Sequence, residues 1–215
     1  MTKTDYYGIH ENQYKYLKNS GREGWNDEKN IVSLYDLVLK AAEFCKTDKP
    51  KVLELGCGDG QLAVMLAEKG FDVTGIDISP TAVEWAKERT DKAKFIVGDV
   101  LDTGFKSDSF DIIIDSYCLH CIIGEDRKKM LSEVKRLLKC GGLFAGITMS
   151  NTIPEDIKQF FNEKREMVKN GIAGRYIGRA DDILNEFSQA GFEIIENTVD
   201  VIVNEADDLK YICRK

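Results

Sequence analysis

Only two histidines, His10 and His120, occur in 215 residues. That leaves few imidazoles for a histidine-based metal centre. Six cysteines are scattered along the chain, and only Cys118 and Cys121 make a CxxC. A structural zinc site takes a second such pair or nearby histidines. No metal is therefore expected, and these thiols are expected to pack or to line a pocket. No dense Lys/Arg run occurs, and 30 basic against 37 acidic residues leave a net charge of −7. Nucleic-acid binding replaces phosphate counterions with a basic face, so nucleic acid is not an expected partner. No apolar run approaches the ~20 residues of a membrane span, so no membrane contact is expected. The opening MTKTDYYGIHENQ lacks the apolar centre of a signal peptide, which points to a cytoplasmic protein.

What the chain does have is rhythm. Hydrophobic residues make up 43%, enough for a sizeable core. From Lys51 onward, strand and helix patterns alternate. KVLEL, DVTGIDI, KFIVGDV, FDIIIDSY and LFAGITM read as strands. FDIIIDSY is almost continuously apolar, as a parallel strand covered on both faces would be. Between them lie helical patterns at Gln61–Lys69, after Ser79-Pro80, and at Glu125–Lys139 with Gly141–Gly142 as its stop. This alternation predicts an α/β fold: a Rossmann-like three-layer sandwich around a mostly parallel sheet. The tail departs from it. Ile153–Lys169 is expected to be helical, NGIAGRYIGRA a loop and Asp181–Ala190 a helix. FEIIENTVDVIV and LKYICRK should close the sheet as an antiparallel hairpin. Ahead of the sheet, Asn30–Cys45 has helical spacing, while the aromatic, polar segment before it shows no strong helical stripe. The domain expectation is a cap over 1–45 and a binding domain over 46–215, with a small insertion near 153–180.

The stretch VLELGCGDG, Val52 to Gly60, is a strand that breaks into a glycine-laced loop. No Lys-Ser/Thr pair follows, which argues against a triphosphate loop. The glycines run GxGxG, so the third comes one residue early for a dinucleotide fingerprint. The loop is also acidic, with Glu54 before it and Asp59 inside it. Negative charge suits a cationic ligand better than a pyrophosphate. The next strand ends in Asp77, where an acid can take ribose hydroxyls. The one after ends in Gly98-Asp99-Val100, where a second acid could accept from an adenine amine.

In order, VLELGCGDG, VTGIDIS, FIVGDV, FDIIIDSYCLHCI and LLKCGGLFAGI resemble the successive motifs of the class I S-adenosylmethionine-dependent methyltransferases. The likeness covers about Lys51 to Met149. It departs at Cys140, where that family usually has proline. The resemblance implies a seven-stranded sheet with its last strand reversed. It also implies S-adenosylmethionine as cofactor and S-adenosylhomocysteine as product. By the same likeness, Gly56, Gly58 and Gly60 let the backbone approach the cofactor. Asp77 would hold the ribose and Asp99 the adenine amine, with Glu54, Ile78 and Val100 adjoining them. Asp115 and Ser116 would line the methionine end.

Methyl transfer needs alignment in a dry pocket more than it needs acid catalysis, because the sulfonium leaving group is neutral. A base matters where the nucleophile arrives protonated. His120, near Asp115 at the same sheet edge, is the candidate, and the two form the expected catalytic pair. Tyr7 and Trp25 are expected to fold over the site. Arg175, Tyr176 and Arg179 could hold an acidic group of the acceptor. A small-molecule acceptor is expected, with the protein a monomer or homodimer. The competing readings are an RNA or protein methyltransferase, a non-catalytic S-adenosylmethionine-binding protein and an NAD-dependent oxidoreductase.

Overall fold

The computed structural model describes residues 3–22, 24–25 and 27–215. Residues 1, 2, 23 and 26, all within the expected cap, lie outside that description. The apolar runs after residue 50 form the core strands: β2 (Lys51–Leu55), β3 (Asp72–Asp77), β4 (Lys94–Val97), β5 (Phe110–Ser116) and β6 (Leu138–Ser150). They follow a two-residue strand, β1 (Lys3–Thr4), and helices α1 (Tyr6–Asn19) and α2 (Glu28–Ala42). Helices α3 (Gln61–Glu68), α4 (Pro80–Arg89) and α5 (Asp126–Leu137) alternate with the strands. The chain ends with β7 (Glu166–Lys169), β8 (Ile172–Tyr176), α6 (Ala180–Gln189), β9 (Glu193–Asp200) and β10 (Asp207–Arg214).

The main sheet has seven strands in the order β4-β3-β2-β5-β6-β10-β9. Strands β2 to β6 pair in parallel, and β10 runs antiparallel to both β6 and β9. Alternate side chains of a strand serve opposite faces, and β5 shows the consequence. Ile112 and Ile114 pack with Leu34, Val38, Leu62 and Val83 of α2, α3 and α4. Ile113 packs with Met130 and Val134 of α5 and with Phe187 of α6. Two cores thus flank one sheet, which is the predicted Rossmann-like sandwich. Ser79 caps α4 as its sequence suggests, its hydroxyl accepting from Ala82 N at 3.1 Å, with Pro80 next.

Four expectations are corrected. The segment before Asn30 contains a full helix, α1. Its buried stripe is Glu11, Tyr14 and Leu17, polar and aromatic enough to hide from a search for aliphatic spacing. Ile153–Lys169 is not a helix, and NGIAGRYIGRA is not a loop. The region holds a 3-10 turn, Lys158–Phe160, and the hairpin β7–β8. Asn170 and Gly171 both take left-handed backbone, φ 51° and 76°. That is the two-residue turn an Asn-Gly pair favours between strands. Parallel pairing of β1 with β8 ties the N-terminus to this hairpin. Finally, α5 stops at Leu137, ahead of the glycine pair, because Leu138 already pairs with Phe110 in the sheet.

One buried carboxylate fixes α1 to the body. Glu11 accepts from Ser79 Oγ at 2.7 Å and from Thr81 Oγ1 and N at 2.8 and 3.2 Å, and pairs with Lys15 at 3.0 Å. Burial by itself would raise its pKa. The bonds from Ser79, Lys15 and Thr81 outweigh burial and hold it down, to about 2. An acid with a folded value below its unfolded one stabilises the fold above the unfolded value and loses that contribution as pH falls. Amide exchange in α1 should therefore accelerate relative to the sheet as pH drops from about 4.5 toward about 2. In Glu11→Gln this acid-dependent step should vanish. An unchanged step would show that another group anchors the helix.

Candidate cofactor and acceptor site

The carboxyl ends of the parallel strands open onto one cleft. Glu54, near the end of β2, lines it and is buried. One carboxylate oxygen, Oε2, has no hydrogen-bond partner among the described residues. Burial pushes this carboxyl up to about 8; the Ser116 hydroxyl bond opposes the rise, while Asp59 and Asp77 add to it. After β2 the chain turns through Gly56 and Gly58, at φ 66° and 53°. A Cβ at Gly56 would lie 2.9 Å from Cys118 Cβ, and one at Gly58 would lie 2.4 Å from the Tyr14 hydroxyl. Backbone and space both require glycine there. Gly60 instead caps α3 and faces Ala86 and Phe95, away from the cleft wall.

Asp77 ends β3 in the cleft wall. Its Oδ2 accepts from Gly58 N at 3.0 Å and its Oδ1 from Ser79 N at 2.9 Å, so it also ties the glycine loop to the next strand. Each oxygen keeps a lone pair for a ligand. Ile78, Asp99 and Val100 continue the wall. Asp99 Oδ1 accepts from Leu101 N at 2.9 Å.

Asp115 requires a correction. It is fully buried and does not line the cleft. Its Oδ1 accepts from Cys118 N and Leu119 N at 2.7 and 2.8 Å, and its Oδ2 from the Tyr211 hydroxyl at 2.9 Å. Those bonds fasten the 3-10 turn Leu119–Cys121. Arg127 braces the same turn, donating to Leu119 O at 2.8 Å while its other nitrogens grip Glu186. Asp115 is thus support for the turn, and Ser116, Cys118, His120 and Cys121 form the wall. His120 is buried, and its Nδ1 has no partner among the described residues.

The expected lid residues divide. Trp25 lines the cleft, with its ring 5.2 Å from Tyr14 and 5.9 Å from His10. Arg175, on β8, lines it too, and its side chain has no hydrogen bond or ion pair among the described residues. Tyr7 is half exposed on the outer face of α1. Tyr176 lies outside the wall under the Arg127 guanidinium, 4.4 Å from its ring, and Arg179 is the N-cap of α6. Cys121 lines the wall, as expected of these thiols, and the wall residues that sequence reading did not single out include Tyr6, His10 and Tyr14. These three fall at i, i+4 and i+8, a spacing that would have exposed them.

Comparison with known proteins agrees with this architecture. A family model described as a methyltransferase domain matches residues 53–146. That match, over somewhat less than half of the chain, bears out the resemblance to the class I S-adenosylmethionine-dependent methyltransferases. An uncharacterized methyltransferase of Synechocystis is 40% identical over 95 residues, covering 44% of this chain and 45% of that protein. The eEF1A lysine and N-terminal methyltransferase of Danio rerio is 34% identical over 111 residues, covering 47% and 16%. The chain thus spans less than half the length of these curated relatives. In fold, it resembles the 1,6-didemethyltoxoflavin-N1-methyltransferase of Burkholderia thailandensis, solved with S-adenosylhomocysteine. The TM-score is 0.75 at 18% identity, over 98% of this chain and 88% of that one.

The cofactor of this methyltransferase family suits the residues present. S-Adenosylmethionine carries a sulfonium and an ammonium, and the cleft carries Glu54, Asp59, Asp77 and Asp99. The unpartnered Glu54 oxygen suits the ammonium, and Asp77 suits a ribose diol. At pH 7 a Glu54 carboxyl raised to about 8 holds its proton. An ammonium beside it favours the charged form, so binding should release about one proton. Calorimetry in two buffers of different ionisation enthalpy measures this, and Glu54→Gln should bind without release. Asp77→Ala should weaken binding by roughly 1–3 kcal/mol, the penalty for unpaired buried donors. Proton-neutral binding in the wild type would remove Glu54 from the ammonium, and an unchanged affinity would remove Asp77 from the ribose.

Proposed function

We propose that the protein transfers a methyl group from S-adenosylmethionine to a small molecule bearing an anionic group. The observation that carries this reading is the division of the cleft. Acids line the cleft beside the glycine loop, while Arg175 joins the lining from the β7–β8 hairpin, its side chain with no ion pair among the described residues. A partly buried guanidinium among acids suits a carboxylate or phosphate of the acceptor. The N-terminal segment serves as cap, with Tyr6, His10, Tyr14 and Trp25 forming an aromatic wall that favours a small ligand over a folded partner. A protein acceptor is the second reading, favoured by the name of the Danio rerio relative. The net charge of −7 disfavours RNA.

Bound S-adenosylmethionine supplies an electrophilic methyl carbon with a neutral leaving group. The chain supplies the rest. Tyr14 and Trp25 exclude water, the turn at residues 118–121 bounds the methyl-facing side, and Arg175 orients the acceptor. His120, whose Nδ1 has no partner among the described residues, is the group to take a proton from a hydroxyl or ammonium nucleophile.

Release of S-adenosylhomocysteine across a metabolite panel tests this reading. Anionic acceptors should dominate the hits. With the best of them, Arg175→Ala should raise KM by about 10–100-fold, as loss of a charge-assisted bond would. His120→Ala should lower kcat by roughly 10²–10⁴ where the nucleophile arrives protonated, and far less for a thiolate or free amine. Turnover with a protein substrate and with no metabolite would favour the second reading.

A further inference from the structure

Cys118 is the N-cap of the 3-10 turn after β5 and Cys121 is its last residue, and Cys121 N donates to Cys118 O at 2.9 Å. In such a turn residues i and i+3 eclipse, and a rise of about 2 Å per residue puts their α-carbons about 6 Å apart. Two cysteines at that separation can bring both sulfurs onto one partner; disulfides span ~4.4–6.8 Å between α-carbons. The sulfur positions agree with this. Cys121 Sγ lies 4.0 Å from the carbonyl oxygen of Tyr117, the residue before Cys118, so it points back along the turn. Cys118 Sγ lies beside the glycine loop, 3.2 Å from where a Cβ on Gly56 would stand. Both residues line the cleft and both thiols are free.

A pair of soft donors in a cleft suits a soft ligand. Zinc takes four protein ligands in a structural site, and among the described residues no group of three His, Cys, Asp or Glu could hold a metal ion. A trivalent metalloid makes only three bonds, so two sulfurs and one hydroxyl complete it. The residue for that hydroxyl is present. His120 lies between the two cysteines on the same turn, lines the same cleft and is buried, and its Nδ1 has no partner among the described residues. Cys57 also lines the cleft, but its sulfur packs against β3, where a Cβ on Gly75 would stand 2.8 Å from it. Cys45, Cys140 and Cys213 are not part of the lining.

We propose that Cys118 and Cys121 form a dithiol clamp for a trivalent metalloid, arsenic or antimony, inside the cleft. With arsenous acid, two S–As bonds form and two As–O bonds break. The two hydroxyls leave as water with the two thiol protons, and no atom changes oxidation state. The third hydroxyl stays on arsenic, where His120 Nδ1 can bond it. Phenylarsine oxide closes the same two S–As bonds, loses its oxygen as one water and keeps no hydroxyl. The assignment does not rest on the identity of the methyl acceptor.

Native mass spectrometry of the reduced full-length protein, without cofactor, tests the clamp with phenylarsine oxide and with arsenite. Phenylarsine oxide should add one phenylarsenic group with loss of two thiol hydrogens. The adduct should survive a large excess of mercaptoethanol and yield to dimercaptopropanol, because only a second dithiol matches a two-point bond. Peptide mapping should place the bridge on one fragment that holds both Cys118 and Cys121. Cys118→Ser and Cys121→Ser, each checked for folding by its thermal melt, should lose the mercaptoethanol-resistant adduct, whereas Cys57→Ser and Cys140→Ser should keep it. His120→Ala should weaken arsenite binding about tenfold, as loss of one hydrogen bond would, and leave phenylarsine oxide binding unchanged. A wild-type adduct that mercaptoethanol removes, a bridge mapped to any other pair, or a resistant adduct that persists in Cys118→Ser or Cys121→Ser would overturn the proposal.

Discussion

Negative charge gathered at one edge of the sheet is the constraint around which the site is built. Parallel strands all end on the same side, so acids placed at their ends converge. Glu54, Asp77 and Asp99 meet there, two of them buried, and Glu54 with an oxygen that the described residues leave unbonded. A buried carboxylate without a partner is costly and takes up a proton. A ligand carrying positive charge reverses that cost. The glycine loop makes the approach possible, and Asp77 holds the loop in place through Gly58 N while keeping lone pairs for the ligand.

The acceptor side depends on a different device, one short turn held from beneath. Asp115 receives two backbone N–H groups of that turn and the Tyr211 hydroxyl, while Arg127 takes its carbonyls. These residues do not touch the cleft, yet they set where His120 and Cys121 stand. From the other side, Glu11 clamps α1 against the start of α4, which brings Tyr6, His10 and Tyr14 into the wall. The cleft is therefore a joint product of the sheet edge and a helix that belongs to neither sheet.

The sheet was legible because its signals are local and redundant. Val52–Gly60 combines a strand, left-handed glycines and acids within nine residues, and Ser79-Pro80 announces a helix start by itself. The β7–β8 hairpin carried an equally local signal in Asn170-Gly171, but the short, charged strands around it hid the alternation. Helix α1 was missed because its inward stripe contains Glu11 and tyrosines, and their burial depends on partners far along the chain. Asp115 was misassigned for a related reason. A strand-end acid can face a ligand or its own following turn, and only the backbone path, here the left-handed Tyr117 at φ 54°, decides between them.

The central claim is that the charge and spacing at the sheet edge select a cationic methyl donor over a pyrophosphate cofactor. Titration calorimetry of the wild-type protein with S-adenosylmethionine, S-adenosylhomocysteine and NAD tests it most directly. Saturable heats from the first two, with none from NAD, are the predicted result. Binding of NAD with no heat from S-adenosylmethionine would contradict the account.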